Sequence, residues 1–155
     1  MNATLYHLET DASLNPTVRK VVDGIELRRA GGGIVLRNPT MRPVGKYSVA
    51  LGFLPSPTHA EAATLLRGMK VARQRHGVRD LRARTDSSSL VEIVNARGKP
   101  HDPALRVLLE QIAEERAKLG SFDLRWSRSY HGRERQAGVP SADALARKAA
   151  GLGGR

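Results

Sequence analysis

Four acidic residues lie in four separate segments of the 155-residue chain: Asp11, Glu61, Asp86 and Asp143. Each falls where a strand is expected to end or a helix to begin. Asp11 closes TLYHLETDAS and Asp86 closes DLRARTDSSS, while Glu61 opens THAEAATLLRGMKVA and Asp143 opens SADALARKAA. Carboxylates gathered at one sheet edge repel one another. At ~4 Å and an effective dielectric of about 20, each pair costs roughly 4 kcal/mol. Hard divalent cations relieve that repulsion and also do phosphoryl chemistry. Metal-dependent nuclease chemistry is therefore the leading reading. Taken singly, Glu61 and Asp143 read as charges that complement a helix N-terminus. Asp11 and Asp86 are harder to set aside, because strand ends are poor places for a stray Asp.

The elements that must position these acids are legible in the pattern. Residues 4–13 alternate as a first strand, with Tyr6 and Leu8 on one face and Leu5, His7, Glu9 and Asp11 on the other. Residues 16–30 read as an insertion in which VDGIEL forms a short extra strand or hairpin. Gly31-Gly32-Gly33 then leads into a second strand at Ile34–Leu36, and a third runs from Tyr47 to Leu54. The glycine run precedes a strand and opens no helix, so it is a poor phosphate loop. A helix over 58–76, with Thr58 as its N-cap, carries Ala62, Leu65, Leu66, Met69 and Ala72 at helical spacing. A fourth strand spans 80–85 and a short helix follows. Asp102-Pro103 opens another helix. A fifth strand covers Phe122 to Ser127, with Trp126 expected in the core, and Ser141 caps the last helix. Three strands in succession imply an antiparallel meander, and later strands joined through helices add in parallel. The expectation is one domain over residues 1–150, with a frayed tail at 151–155.

Composition narrows the chemistry. With no cysteine, disulfides, Cys-ligated zinc and thiol catalysis are excluded. His7, His59 and His76 have no zinc-motif spacing and read as structural or surface residues. No leader or membrane span is visible, and a cytoplasmic location is expected. The net charge is +11, which suits a polyanionic partner. Aromatics are 4% of the chain, too few for a stacking platform, so recognition through backbone and groove shape fits better.

The order and context of the acids resemble type 1 ribonuclease H. The matching segments are Asp11-Ala12-Ser13, the loop Ser56-Pro57-Thr58-His59-Ala60-Glu61, Thr85-Asp86-Ser87, and Ala142-Asp143-Ala144-Leu145-Ala146-Arg147. The resemblance is firm over about 44–150 and looser before. It implies an α/β, ribonuclease H-like fold: a mixed five-stranded sheet, antiparallel in its first three strands and then parallel, flanked by helices. It also implies an endoribonuclease that cuts the RNA strand of RNA/DNA hybrids, probing them as a monomer. Two Mg²⁺ ions, replaceable by Mn²⁺, would sit about 3.5–4 Å apart. Asp11 would bridge both. Glu61 and Asp86 would hold the ion near the leaving group, and Asp143 the one that activates water, leaving 5′-phosphate and 3′-hydroxyl ends.

In the same resemblance, His131 before the last helix would assist proton transfer or product release; a solvated loop histidine is the alternative. Ser13, Asn15, Thr58 and Ser87 would contact substrate, although Ser87 suits helix capping equally well. Pro57 and Thr58 stand where the family places Asn residues that read 2′-hydroxyls, and Pro57 cannot donate. Glu9 stands where the family has an apolar residue, and a nearby Arg is its natural partner. The basic handle of some bacterial members is absent, and Arg19, Lys20, Arg28 and Arg29 of the insertion could grip substrate instead. The rivals are a non-catalytic binding module on this fold, a relaxed metal-dependent nuclease, and a basic RNA-coating protein. Exonucleases of the wider superfamily carry Asp-x-Glu in the first strand. Here the order is Glu9-Thr10-Asp11.

Overall fold

Asp23 and Gly24 both take left-handed φ, 51° and 78°. That is what a two-residue hairpin loop requires, and Asp-Gly is among the pairs that supply it most readily. The turn joins β1 (Leu5–Val22) to β2 (Ile25–Arg37) in the computed structural model, which describes residues 3–96, 100, 102–128 and 140–152. Sequence pattern places the first strand at 4–13, the second at Ile34–Leu36 and a short extra strand or hairpin at VDGIEL. The hairpin is there, but as the tip of the two strands themselves, which run through segment 16–30 and pair from Val22↔Ile25 to His7↔Arg37 with a register shift between Leu14 and Arg19. Pairing across a tight turn extended the strands where side-chain alternation was too weak to show them. His131, Arg97 and Lys99 lie outside the described residues.

The remaining elements are β3 (Pro43–Leu54), α1 (Pro57–His76), β4 (Asp80–Thr85), α2 (Ser88–Ala96), α3 (Pro103–Lys118), β5 (Ser121–Trp126) and α4 (Ala142–Ala149). The strand order is β3-β2-β1-β4-β5. β2 pairs antiparallel with β1 and β3, while β4 pairs parallel with β1 and β5. This is the mixed five-stranded sheet expected of a ribonuclease H-like fold, with β1 at its centre.

One face of the sheet carries the core. Leu8, Ile34, Leu36, Leu81 and Leu124 meet the apolar stripe of α1 (Leu65, Met69, Ala72), Leu90 of α2 and Ile112 of α3. Two polar clamps fix α1 against α3. Arg73 donates from Nε and Nη2 to both oxygens of Glu115, at 2.9 and 3.1 Å, and Glu115 is only 2% exposed. That bidentate pair holds the Glu115 carboxyl below its ordinary pKa. At the other end His59, buried, bridges Ser56 and Asp102, the N-caps of the two helices. The cap of α1 is therefore Ser56, whose hydroxyl accepts from His59 N–H at 3.3 Å, and not Thr58. Pro57 occupies the first helical position, where no N–H is needed.

The opposite face is where α4 lies, and glycine lets it lie close. A Cβ on Gly33 would sit 1.8 Å from the carbonyl oxygen of Ala142, and one on Gly31 would sit 2.3 Å from Ala150 N. Helix backbone thus rests on strand backbone. The helix answers with Ala142, Ala146 and Ala150, small residues four apart and essentially without exposure. Asn15 Nδ2 donates to Ala150 O at 2.9 Å, and Ser48 Oγ donates to Leu145 O at 2.6 Å. Gly33→Val should push α4 off the sheet. The expected cost in urea or thermal unfolding is about 3 kcal/mol or more. A variant as stable as the parent would contradict this packing.

Candidate active site

β4 ends and α4 begins beside the middle of β1, and α1 passes alongside; Asp11 lies within β1 and not at the strand end expected from sequence. The last β1–β4 pair is Glu9↔Arg84, so the strands separate just beyond it. Asp11 follows on β1, and Asp86 follows the last residue of β4, Thr85. Asp143 stands in the first turn of α4. It arrives there because Asp11 pairs with Gly33, the residue on which Ala142 rests. Glu61 lies in the second turn of α1, deeper than the first-turn position expected from sequence, and is 7% exposed. Its separation from the helix end weakens any help from the helix dipole.

One ligand oxygen from each of Asp11, Glu61 and Asp86 lies within 4.8 Å of the others. Asp143 shares a hydrogen bond with Asp11. The backbone N–H of Ala12 donates to Asp11 Oδ1 at 2.9 Å and reaches Glu61 Oε1 at 3.3 Å. This donor carries no side-chain signal beyond the small residue after Asp11. It draws both carboxylates inward. Glu61 Oε2 is buried and has no hydrogen-bond partner. Burial, then the Asp86 charge, pushes Asp11 up to about 7. Burial, then the Asp11 charge, pushes Glu61 up to about 9. The cluster is thus short of positive charge.

A family model described as reverse transcriptase-like matches residues 22–149. The chain belongs to this family, and it is ribonuclease H-like of type 1. Among solved structures, ribonuclease H1 from the halophilic archaeon Halobacterium salinarum is similar with a TM-score of 0.76 at 20% identity, covering 94% of this chain and 96% of that one. The N-terminal ribonuclease H domain of a Mycobacterium tuberculosis protein, solved as a fusion with maltose-binding protein, gives 0.75 at 21% identity, covering 96% and 94%. A third, LC11 ribonuclease H1 in complex with an RNA/DNA hybrid, gives 0.72 at 18% identity, covering 92% and 94%. At these identities the likeness establishes the fold. No curated protein matches in sequence.

Metal dependence is implied by the fold, and the residues suit it. The donors are all carboxylate oxygens, the preference of hard divalent ions. Glu61 Oε2 is buried with no hydrogen-bond partner among the described residues, so it has a lone pair to offer a cation.

The other expected site residues divide. Asn15 is buried. Its Oδ1 accepts from Thr17 N at 3.0 Å and Thr17 Oγ1 at 2.9 Å, and its amide holds Ala150. This corrects the expected substrate contact: Asn15 anchors α4. The Ser87 hydroxyl accepts from Leu90 N–H at 3.2 Å, which makes it a cap for α2. Ser13 and Thr58 are half-buried. Trp126 is not in the core: it is 52% exposed, and its indole N–H donates to Asp86 O at 3.2 Å. It packs beside a site carboxylate because it ends an outer strand. Glu9 has the arginine partner it needed, Arg37 at 3.1 Å. The site's dependence on the glycine run was missed. Three glycines beside an alanine-spaced helix were the signal.

The shifted acids make stability depend on pH. Unfolded carboxyls titrate near 4. With Asp11 at about 7 and Glu61 at about 9, the folded metal-free chain binds more protons than the unfolded chain between those limits. Stability from this source therefore falls as pH rises across that window. Glu61→Gln should raise the Tm of the metal-free protein at pH 8.5 by on the order of 5 °C and leave it nearly unchanged at pH 4. A Tm gain independent of pH in calorimetry would count against the carboxylate repulsion.

Proposed function

We propose that the chain is an endoribonuclease that hydrolyses the RNA strand of RNA/DNA hybrids, with Mg²⁺ or Mn²⁺ as cofactor. The observation that carries this reading is the carboxylate constellation: Asp11, Glu61 and Asp86 within 4.8 Å, with Asp143 bonded to Asp11, in a ribonuclease H-like chain. The hybrid bound to LC11 ribonuclease H1 supports the substrate class.

Asp11, Glu61, Asp86 and Asp143 would hold two ions. When bound, the ions lower the pKa of water and stabilise charge on the attacking and leaving oxygens of the phosphodiester, giving 5′-phosphate and 3′-hydroxyl ends. The chain itself does the positioning. Ala12 N–H fixes Asp11 and Glu61 toward a common centre, and burial of Glu61 keeps bulk water from competing there. Asp11 stands against Glu61, Asp86 and Asp143, so it would hold metal together with each of them. His131, outside the described residues, would assist proton transfer or product release. Thr58 and Ser13 would serve as substrate contacts.

The test is cleavage of a labelled RNA strand paired with DNA, paired with RNA, or alone. Each is run with Mg²⁺, Mn²⁺ or EDTA, beside Asp86→Asn. The expected outcome is metal-dependent cutting of the hybrid alone, reduced at least ~100-fold in the variant (about 3 kcal/mol of barrier). Cutting of all three substrates would show a relaxed nuclease, with Pro57 and Thr58 as the cause. Intact binding without cutting would show a binding module.

A further inference from the structure

The sheet has two faces, and among the described residues helices cover only one of them across its width. On the second face α4 packs against β2, β1 and β3. Beyond α4, strand register sets two rows of side chains on that face. One row runs Arg37, His7, Arg82, Asp123. The next, one pleat nearer the carboxylates, runs Lys46, Val35, Glu9, Arg84, Arg125, with Val35 fully buried and the charged residues flanking it on either side.

Five cations therefore share this face with two acids. Glu9 pairs with Arg37 at 3.1 Å, and Asp123 is divided between Arg82 at 3.1 Å and Arg125 at 2.7 Å. Arg84 and Lys46 have no ion-pair partner among the described residues. A solvated sheet face ordinarily interleaves its charges, whereas this one keeps an excess of three. His7 senses the excess from inside: burial, then Arg84, Arg82 and Arg37, holds it below its ordinary pKa. Its Nδ1 is buried without a partner.

The dimensions suit a phosphate chain. From β3 to β5 are four strand spacings, about 19 Å. Phosphates of one duplex strand advance about 3.4 Å each along the axis but wind around it, so roughly two to three of them face a flat surface over that span. Arg84 and Glu9 lie one pleat repeat, about 6.6 Å, from the row of Asp11. A strand crossing the face would thus be continuous with the carboxylate site. Guanidinium groups hold phosphate oxygens in pairs, which makes four arginines better suited to this than lysines.

We propose that this open face is a second nucleic-acid-binding surface, which grips the backbone of a strand continuing past the point of cleavage. It rests on the nucleic-acid reading above but not on hydrolysis. The test uses the full chain in EDTA with a fluorescent RNA/DNA hybrid, its affinity measured from 50 to 200 mM salt. Arg82→Gln, Arg84→Gln and Arg125→Gln together should weaken binding at least ~10-fold at 50 mM salt. The slope of log K against log salt should flatten by about 2 to 3, at ~0.9 per phosphate contact.

A second measurement does not depend on how the triple variant folds. The chain has no cysteine, so Arg125→Cys can carry a single photo-crosslinker, with Glu110→Cys on α3 for comparison. Crosslinking to hybrid at position 125, weak at 110, is expected. An unchanged slope with equal or absent crosslinking at the two positions overturns the proposal. Displacement of the hybrid by polyglutamate at equal charge overturns it also, by showing an acidic-protein surface. Magnesium-dependent hybrid cleavage by the parent is scored separately. If cleavage stands and the slope does not move, this surface fails and the hydrolase reading survives; a flattened slope without cleavage gives the reverse.

Discussion

Like charges brought within hydrogen-bonding range of one another do not stay there unaided, and the architecture of this chain answers that constraint. Asp11, Glu61 and Asp86 come from a central strand, a buried helix face and a neighbouring strand end. Each is held by something other than its partners. Ala12 N–H draws two of them together, β4 delivers the third in parallel register, and the hydrophobic layer keeps α1 where it is. In the chain without metal, burial first and the neighbouring carboxylates second favour the protonated forms, pushing Asp11 up to about 7 and Glu61 up to about 9. The same imbalance that destabilises the free fold is one that a bound divalent cation would relieve.

The fourth acid depends on a different kind of contact. α4 can approach the sheet only because β2 presents Gly31 and Gly33 on that face, while Gly32 meets Thr64 of α1 on the other. Glycine in a strand interior ordinarily weakens the strand. Here the loss is offset by backbone-to-backbone packing that sets Asp143 beside Asp11. Asn15 and Ser48 tie the helix down with side chains that would otherwise be free for substrate. Stability and site geometry therefore share the same residues, and substitutions along this track should move both together.

Helix packing on one face leaves the other partly bare, and its polarity follows. Side chains at His7, Glu9, Arg82, Arg84, Asp123 and Arg125 point where no helix waits on the outer strands. Alternation along each strand then forces the charge pattern to be either solvated or used. The carboxylates occupy the end of the same face, so the negative centre has a positive field beside it, as a site for a polyanion requires.

The sequence by itself determined the element order and the sheet's mixed topology, and it singled out Asp11, Glu61 and Asp86, which the fold brings together. Each of these rests on local signals: an Asp after the end of β4, a helical apolar period, a Ser cap before Ala142. Helix spans were close because caps and glycines mark them chemically. Strand ends at 14–30 were missed because pairing across the Asp23-Gly24 turn, not alternation, extends β1 and β2. Only the tertiary structure decided that Asn15 serves the fold, that Trp126 is exposed, that Glu61 sits a turn deeper, and that the glycine run is a bed for α4. Those properties belong to pairs of residues distant in the chain, and no local pattern encodes which face a neighbour will cover.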